Sequence, residues 1–298
     1  MKWTLENYRV RRYRLRRFVK TYYDTQKLYV LISNRIGLKG DGTAMNRETV
    51  LLEDEFAIYS VALESLTKML ESLEKRIKEE LNEWPIYTEW LLGVKGVGWT
   101  MSAVICSEFD IVIAIYVSKM VQFSGLNPGM VRGMKAVKVK NPKTYKAKKG
   151  EEIVTRLKGK VIVRTFDMVR GDKLTAGYLA PFCQFLRSKL IGVLAPSFLR
   201  SQSEYAQLHY YRLHVPLKDR ARMGVGRLDV SEKINEKTGK MWKDESEGYR
   251  SNYAKRIMIK EFEKDLYVAW RTLEDLPVRK PYSEEYLGKK PHNKKDKK

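Results

Sequence analysis

The stretch Leu91-Leu92-Gly93-Val94-Lys95-Gly96-Val97-Gly98-Trp99-Thr100 holds the residue types that grip a phosphate. Glycines at 96 and 98 allow backbone angles and close approaches that a Cβ forbids. Apolar residues precede them, and the small pair Ser102 and Ala103 follows inside an apolar run. The pattern is a helix-hairpin-helix with Val97 as the plug between the two helices. Free N–H groups at the second helix's start, its dipole and the Lys95 ammonium together suit an anion. Such a contact holds backbone without reading bases. Lys95, Gly96, Val97, Gly98, Trp99 and Thr100 are therefore candidate nucleic-acid-binding residues. The plainer alternative is a tight turn between two core helices.

A second set lies downstream. Residues 130–170 hold thirteen basic residues against Glu151, Glu152 and Asp167. Ala136, Val137 and Val139 alternate with lysines, Asn141-Pro142 and Gly150 follow, and Val161-Ile162-Val163 comes after Gly159. This is the period of one or two β-hairpins with lysine-rich edges. Arg132, Lys135, Lys138 and Lys140 are candidates to lie along phosphates, with a solvated loop as the bland alternative. Arg170 and Arg187 are further candidates. Asp167 and Asp172 offer a metal pair or, more simply, turn-capping carboxylates. His209 and His214 stand five apart, which suits no helical metal pair, and Glu284-Glu285 reads as a solvated turn. Cys106 and Cys183 are too few for a disulfide framework or a cysteine zinc site. No metal site and no cofactor are expected; Mg²⁺ enters only if the chain cuts a strand.

The whole chain has 298 residues and a net charge of +22, with 43% hydrophobic residues. That apolar share excludes wholesale disorder, and the charge points to a polyanionic partner. No apolar run reaches the ~18 residues a membrane span needs. Charges interrupt every apolar stretch of the N-terminus, so it does not read as a signal peptide. A cytoplasmic, nucleoid-associated protein with no membrane partner is expected.

Helices must position these residues. Residues 1–30 carry +7, residues 48–84 carry −6, and residues 286–298 carry +5. In the acidic block Phe56, Tyr59, Leu63, Leu66, Leu70, Leu73, Ile77 and Trp84 recur at steps of three and four, a heptad seam that ends before Pro85. Leu15, Phe18, Tyr22, Tyr29, Ile32 and Ile36 offer a mate within the chain, with the turn at residues 34–42. A homo-oligomer through residues 56–84 is the other way to cover the seam. Helical periods return over residues 181–194, 201–213 and 253–273, and residues 224–250 read as an exposed loop.

Gly96-Val97-Gly98, Asp110-Ile111 and Ser124-Gly125-Leu126-Asn127-Pro128 together resemble the C-terminal domain of the insertion-sequence transposases that pair a resolvase-like DEDD nuclease with a serine-bearing domain. Leu174, Gly177, Leu186-Arg187, Leu190, Ala254-Lys255-Arg256 and Pro281-Tyr282 extend the likeness more loosely. Two departures stand out. The residues before the hairpin read as helices in place of the nuclease domain. No serine lies between Ser124 and Ser188, where the family's nucleophile falls. Thr144, Thr155, Thr165, Thr175, Tyr145 and Tyr178 are the hydroxyls available there, and strand exchange needs an activated one.

The resemblance implies a DNA-binding protein of DNA transposition and recombination, with DNA as partner. A non-catalytic binder of branched DNA or structured RNA is the alternative. The expected fold is mainly α: a helical hairpin or coiled coil plus a helix-hairpin-helix domain, a small basic β-hairpin insertion and C-terminal helices. The expected segments are a basic helix (1–46), a heptad helix (47–85), the helix-hairpin-helix core (86–130), a basic β-arm (131–166), a transposase-like helical region (167–287) and a disordered lysine-rich tail (288–298).

Overall fold

The computed structural model describes residues 5–37, 53–211, 234–235, 238–241, 244–280 and 285. The remainder of the turn expected at 34–42, most of the expected loop at 224–250, His214, Pro281-Tyr282, Glu284 and the lysine-rich tail lie outside the described residues. The fold is mainly helical with one small antiparallel sheet. The chain divides into two units, Met1–Gly93 with Gly98–Asp110, and Val94–Val97 with Ile111–Lys298. No described helix is long and apolar enough to cross a membrane.

The first unit is built on two long helices, α1 (Leu5–Arg35) and α2 (Glu53–Asn82). Helix α3 (Pro85–Glu89) starts on a proline whose missing N–H is harmless in a first turn. A single 3₁₀ turn (Leu91–Gly93) and α4 (Trp99–Glu108) complete it. Helix α2 runs against α1, and α4 packs on both. Leu63, Ile77, Leu81 and Trp84 are buried, while Leu66, Leu70 and Leu73 are half-buried. The heptad seam therefore has a mate within its own chain. Tyr8 meets Trp84 edge to face at 5.5 Å.

The arginines of α1 close this unit. Arg11 binds Glu83 at 2.9 Å and Arg14 binds Glu80 at 2.9 Å. Arg12 reaches Asp110 at 3.0 Å. Arg16 forks onto Glu108, with Nε to Oε1 at 3.0 Å and Nη2 to Oε2 at 2.8 Å. The Glu108 side chain is 0% exposed and sits at the C-terminal end of α4, where the helix dipole disfavours a negative charge. Arg16 offsets both penalties. Much of the first basic block is thus matched to carboxylates of the same unit.

The second unit holds α5 (Val117–Phe123), the sheet, and the remaining helices. Strands β1 (Met130–Lys138), β2 (Glu152–Leu157) and β3 (Lys160–Arg170) pair in the order β1-β3-β2. Strands β2 and β3 form one hairpin, whose turn places Gly159 at φ 73°. Strand β1 pairs on the far side of β3, which bulges at residues 165–167 opposite Gly133. A side chain there would meet the Tyr178 ring at 2.5 Å. Val161, Val163 and Thr165 on alternate positions of β3 are buried, and β2 is almost wholly exposed.

Helix α6 (Gln184–Lys189) continues through a π segment (Leu190–Leu194) into α7 (Ala195–Arg200). The wide turn precedes Pro196, whose ring and missing N–H disrupt an ordinary α ladder. A second π turn (Ala206–Tyr210) follows, and α8 (Glu247–Leu273) ends the described core. Ser246 caps α8 by accepting from the Tyr249 amide. Ala254, Met258, Phe262, Leu266 and Trp270 repeat every four residues and are fully buried. Arg271 donates to the carbonyls of Ile111, Ala114 and Pro277, tying the chain before α5 to the end of α8.

Glu263 is also buried on α8. Burial pushes its carboxyl from about 4.5 up to about 8, against the opposing pull of Ser124 and Lys260. The folded state therefore keeps a proton that the unfolded chain has lost. Its contribution is complete below about pH 4.5 and declines as pH rises toward 8, by about 1.4 kcal/mol per pH unit. Urea unfolding of Glu263→Gln at a series of pH values is expected to show a flatter profile and higher stability at pH 8. A profile parallel to wild type would place the titration elsewhere.

Candidate nucleic-acid interface

The hairpin turn runs from the 3₁₀ turn into α4. The Val97 amide donates to the Val94 carbonyl, and Gly98 is the N-cap of α4. Gly96 has φ 96°, which L side chains rarely adopt. A Cβ there would come 2.6 Å from Ser201 Oγ and 2.9 Å from the Phe198 ring. Ser197 Oγ donates to the Gly96 carbonyl at 2.8 Å. Gly96 is therefore required by packing against α7 within its own unit.

Gly98 corrects the expectation that both glycines are needed for conformation. Its φ is −85°, open to any residue, and nothing lies within 4 Å of an added Cβ. It leaves the start of α4 without a side-chain acceptor. Lys95 is exposed, and Val97 and Thr100 are half-buried. Trp99 meets Tyr22 edge to face at 5.4 Å and receives Lys78 at 5.3 Å over its ring, so it serves the packing of α4.

Gly96→Val is expected to cost roughly 1–3 kcal/mol in denaturant unfolding, from overpacking and the positive φ. Gly98→Ala is expected to stay within about 0.5 kcal/mol. Equal losses at the two positions would contradict this division. Loss of nucleic-acid binding in Gly96→Val consequently cannot by itself report a phosphate contact.

The sheet carries the other candidates. Arg132 lies 4.8 Å over the Phe166 ring and 3.9 Å from Glu152, which also pairs with Arg164 at 3.2 Å. Lys135 sits 3.2 Å from Asp167 and 4.4 Å over the Tyr178 ring. Tyr178 Oη donates to Asp167 at 2.6 Å. These two bonds, Tyr178's first, hold the Asp167 carboxyl below its usual range. Lys138 and Lys140 are exposed, as are Lys143, Lys146, Lys148, Lys149, Lys158 and Lys160. Among the described residues none of these eight has a carboxylate within ion-pair distance; the nearby acids are engaged elsewhere.

Arg170 and Arg187 meet at a third place. Arg170 forks onto Asp172 through Nε and Nη2, both at 2.8 Å. Arg187 donates to the Asp172 backbone carbonyl and lies 4.7 Å over the Phe182 ring. Burial pushes the Asp172 carboxyl up, but Arg170, Arg256 and Arg187 outweigh it and hold the group below its usual range. Asp167 and Asp172 thus serve separate partners, and neither caps a helix. Among the described residues no cluster of three or more His, Cys, Asp or Glu is arranged for a metal ion. His209 lies against Tyr205 at 6.4 Å.

Of the hydroxyls, Thr165 is buried and donates to the Gly133 carbonyl, Thr144 donates to the Asn141 carbonyl, and Tyr145 donates to Glu151. Tyr178 is the half-buried hydroxyl that carries both a carboxylate and a lysine beside it. Sequence reasoning missed Arg256 and Lys260, which join the Asp172 group from α8. Their spacing of four on an amphipathic helix was the available signal. Comparison with protein-family models, with curated proteins and with solved structures finds no match.

Proposed function

We propose that this chain binds DNA, gripping the phosphate backbone mainly through its β-arm, and acts in DNA transposition or recombination as a transposase-family protein. One observation carries the binding: eight exposed lysines between residues 138 and 160, at strand ends and in the loops of the arm, have no carboxylate within ion-pair distance among the described residues. Four arginines of α1 face the opposite situation, since Arg11, Arg12, Arg14 and Arg16 are each matched to a carboxylate. Unmatched cations on an exposed arm suit a polyanion, and phosphates bound there release counterions. The open Cα of Gly98 at the start of α4 leaves room for a second backbone contact. The role in transposition rests on the resemblance of residues 96–128. If the protein pairs with a second copy, the exposed Ile58, Val61 and Met69 of α2 are the apolar residues it would meet. Binding is tested by measuring duplex affinity against salt for wild type and an arm variant. Strand transfer is tested on branched DNA with Mg²⁺; absence of nicking and of covalent adduct would leave a binder without cleavage.

A further inference from the structure

The second unit contains a cavity of about 270 Å³ between the chain after α5, the end of β3 and one face of α8. Asp172, Asn235, Tyr249, Tyr253, Arg256 and Lys260 are among the residues that line it. From α8, Tyr249, Tyr253, Arg256 and Lys260 follow one another at steps of three and four, so they share a face. That face presents aromatic rings toward one end and two cations toward the other.

The charges around this cavity do not balance. Arg170, Arg187, Arg256 and Lys260 surround one ionised carboxylate, Asp172. Of the other nearby carboxyls, Glu245 is taken up by Asn235 and Thr238, and burial pushes the fully buried Glu263 toward its neutral form. Arg170 already forks onto Asp172, and Arg187 is held by its carbonyl. Arg256 approaches Asp172 only at 4.0 Å, and its side chain is 45% exposed. Lys260 makes no hydrogen bond or ion pair among the described residues, although burial pushes its ammonium's pKa down. A cation placed only for solubility would point to water. A half-buried ammonium beside three arginines pays a desolvation cost that a bound anion would offset.

We infer that this cavity is a phosphate site for a nucleotide, with Arg256 and Lys260 holding the phosphate and the tyrosines beside the sugar or base. The Arg256 fork can donate to two phosphate oxygens and Lys260 supplies a point charge, a division suited to a tetrahedral dianion. The Asn235 amide, fixed by bonds to Glu245 and Tyr249 Oη, keeps Tyr249 in place. The nucleotide can be free or part of a strand; both present the same phosphate. The site is separate from the arm and stands or fails without it.

The test uses the full chain and a form with Lys138, Lys140, Lys148, Lys149, Lys158 and Lys160 changed to glutamine. Both are titrated calorimetrically with inorganic phosphate, 5′-dAMP and a short single-stranded oligonucleotide. dAMP binding is expected in both forms, with inorganic phosphate competing. Arg256→Gln and Lys260→Met are each expected to weaken it at least tenfold while the melting temperature holds. If only the oligonucleotide binds and Lys260→Met weakens it in the arm-neutralised form, the phosphate comes from a strand and the site is supported. Binding of neither dAMP nor the oligonucleotide, or binding that both substitutions leave unchanged, overturns the proposal.

Discussion

Changing Lys138, Lys140, Lys148, Lys149, Lys158 and Lys160 to glutamine is expected to flatten the salt dependence of DNA binding. Each phosphate contact contributes about 0.9 to the slope of log affinity against log salt. Six lysines at six phosphates therefore account for a slope of about −5. Over a change from 50 to 200 mM salt, wild type should lose about a thousandfold in affinity, and the variant only a small part of that. Fluorescence anisotropy with a labelled duplex at four salt concentrations measures both. All six side chains are exposed and outside ion pairs with described residues, so the fold should survive. The informative control is Arg11→Gln, whose guanidinium is matched to Glu83 at 2.9 Å. Its slope should stay near wild type. An arm variant with an unaltered slope would reduce the sheet to a solvated edge.

Arg16→Ala should destabilise the first unit more than any other single change considered. It leaves the Glu108 carboxylate buried at the end of α4 without its two guanidinium bonds. Removing one partner of a buried pair costs about 3–5 kcal/mol, because the remaining charge is uncompensated. The double variant Arg16→Met with Glu108→Leu removes both charges and keeps the volume, so most of the loss should return. Denaturant unfolding with an unchanged m-value checks each step. If the double variant is as weak as Arg16→Ala, packing of the arginine stem, rather than charge, holds the helices. If Arg16→Ala is near neutral, α4 is fixed by its apolar face alone.

These two expectations draw on different kinds of information. The seam of α2 was readable because a helix repeats its face every three or four residues, whatever lies opposite. The change of period over residues 134–164 likewise announced strands, and their lysine excess announced an edge that avoids its own kind. The three-stranded order was less legible, since β1 pairs with β3 across residues 139–159, with β2 between them in the chain, and strand pairing is non-local. Gly96 and Gly98 look alike in sequence, yet only Gly96 faces another helix. That difference is set by Phe198 and Ser201, about a hundred residues away.

The sequence by itself determined the elements and the total charge, because propensity, periodicity and composition act over a few neighbouring residues. It did not determine which charges remain available. Arg16 meets Glu108 across 92 residues and Arg11 meets Glu83 across 72, so part of a block that reads as a polyanion grip is internal balance. Asp172, Arg187, Arg256 and Lys260 come from three separate segments and gather only when the second unit closes. Coulomb interactions depend on distance in space and on burial, and chain separation reports neither. The tertiary structure therefore decided that the arm lysines and the α8 cations remain available to bind an anion, whereas Arg11, Arg12, Arg14 and Arg16 are taken up by carboxylates.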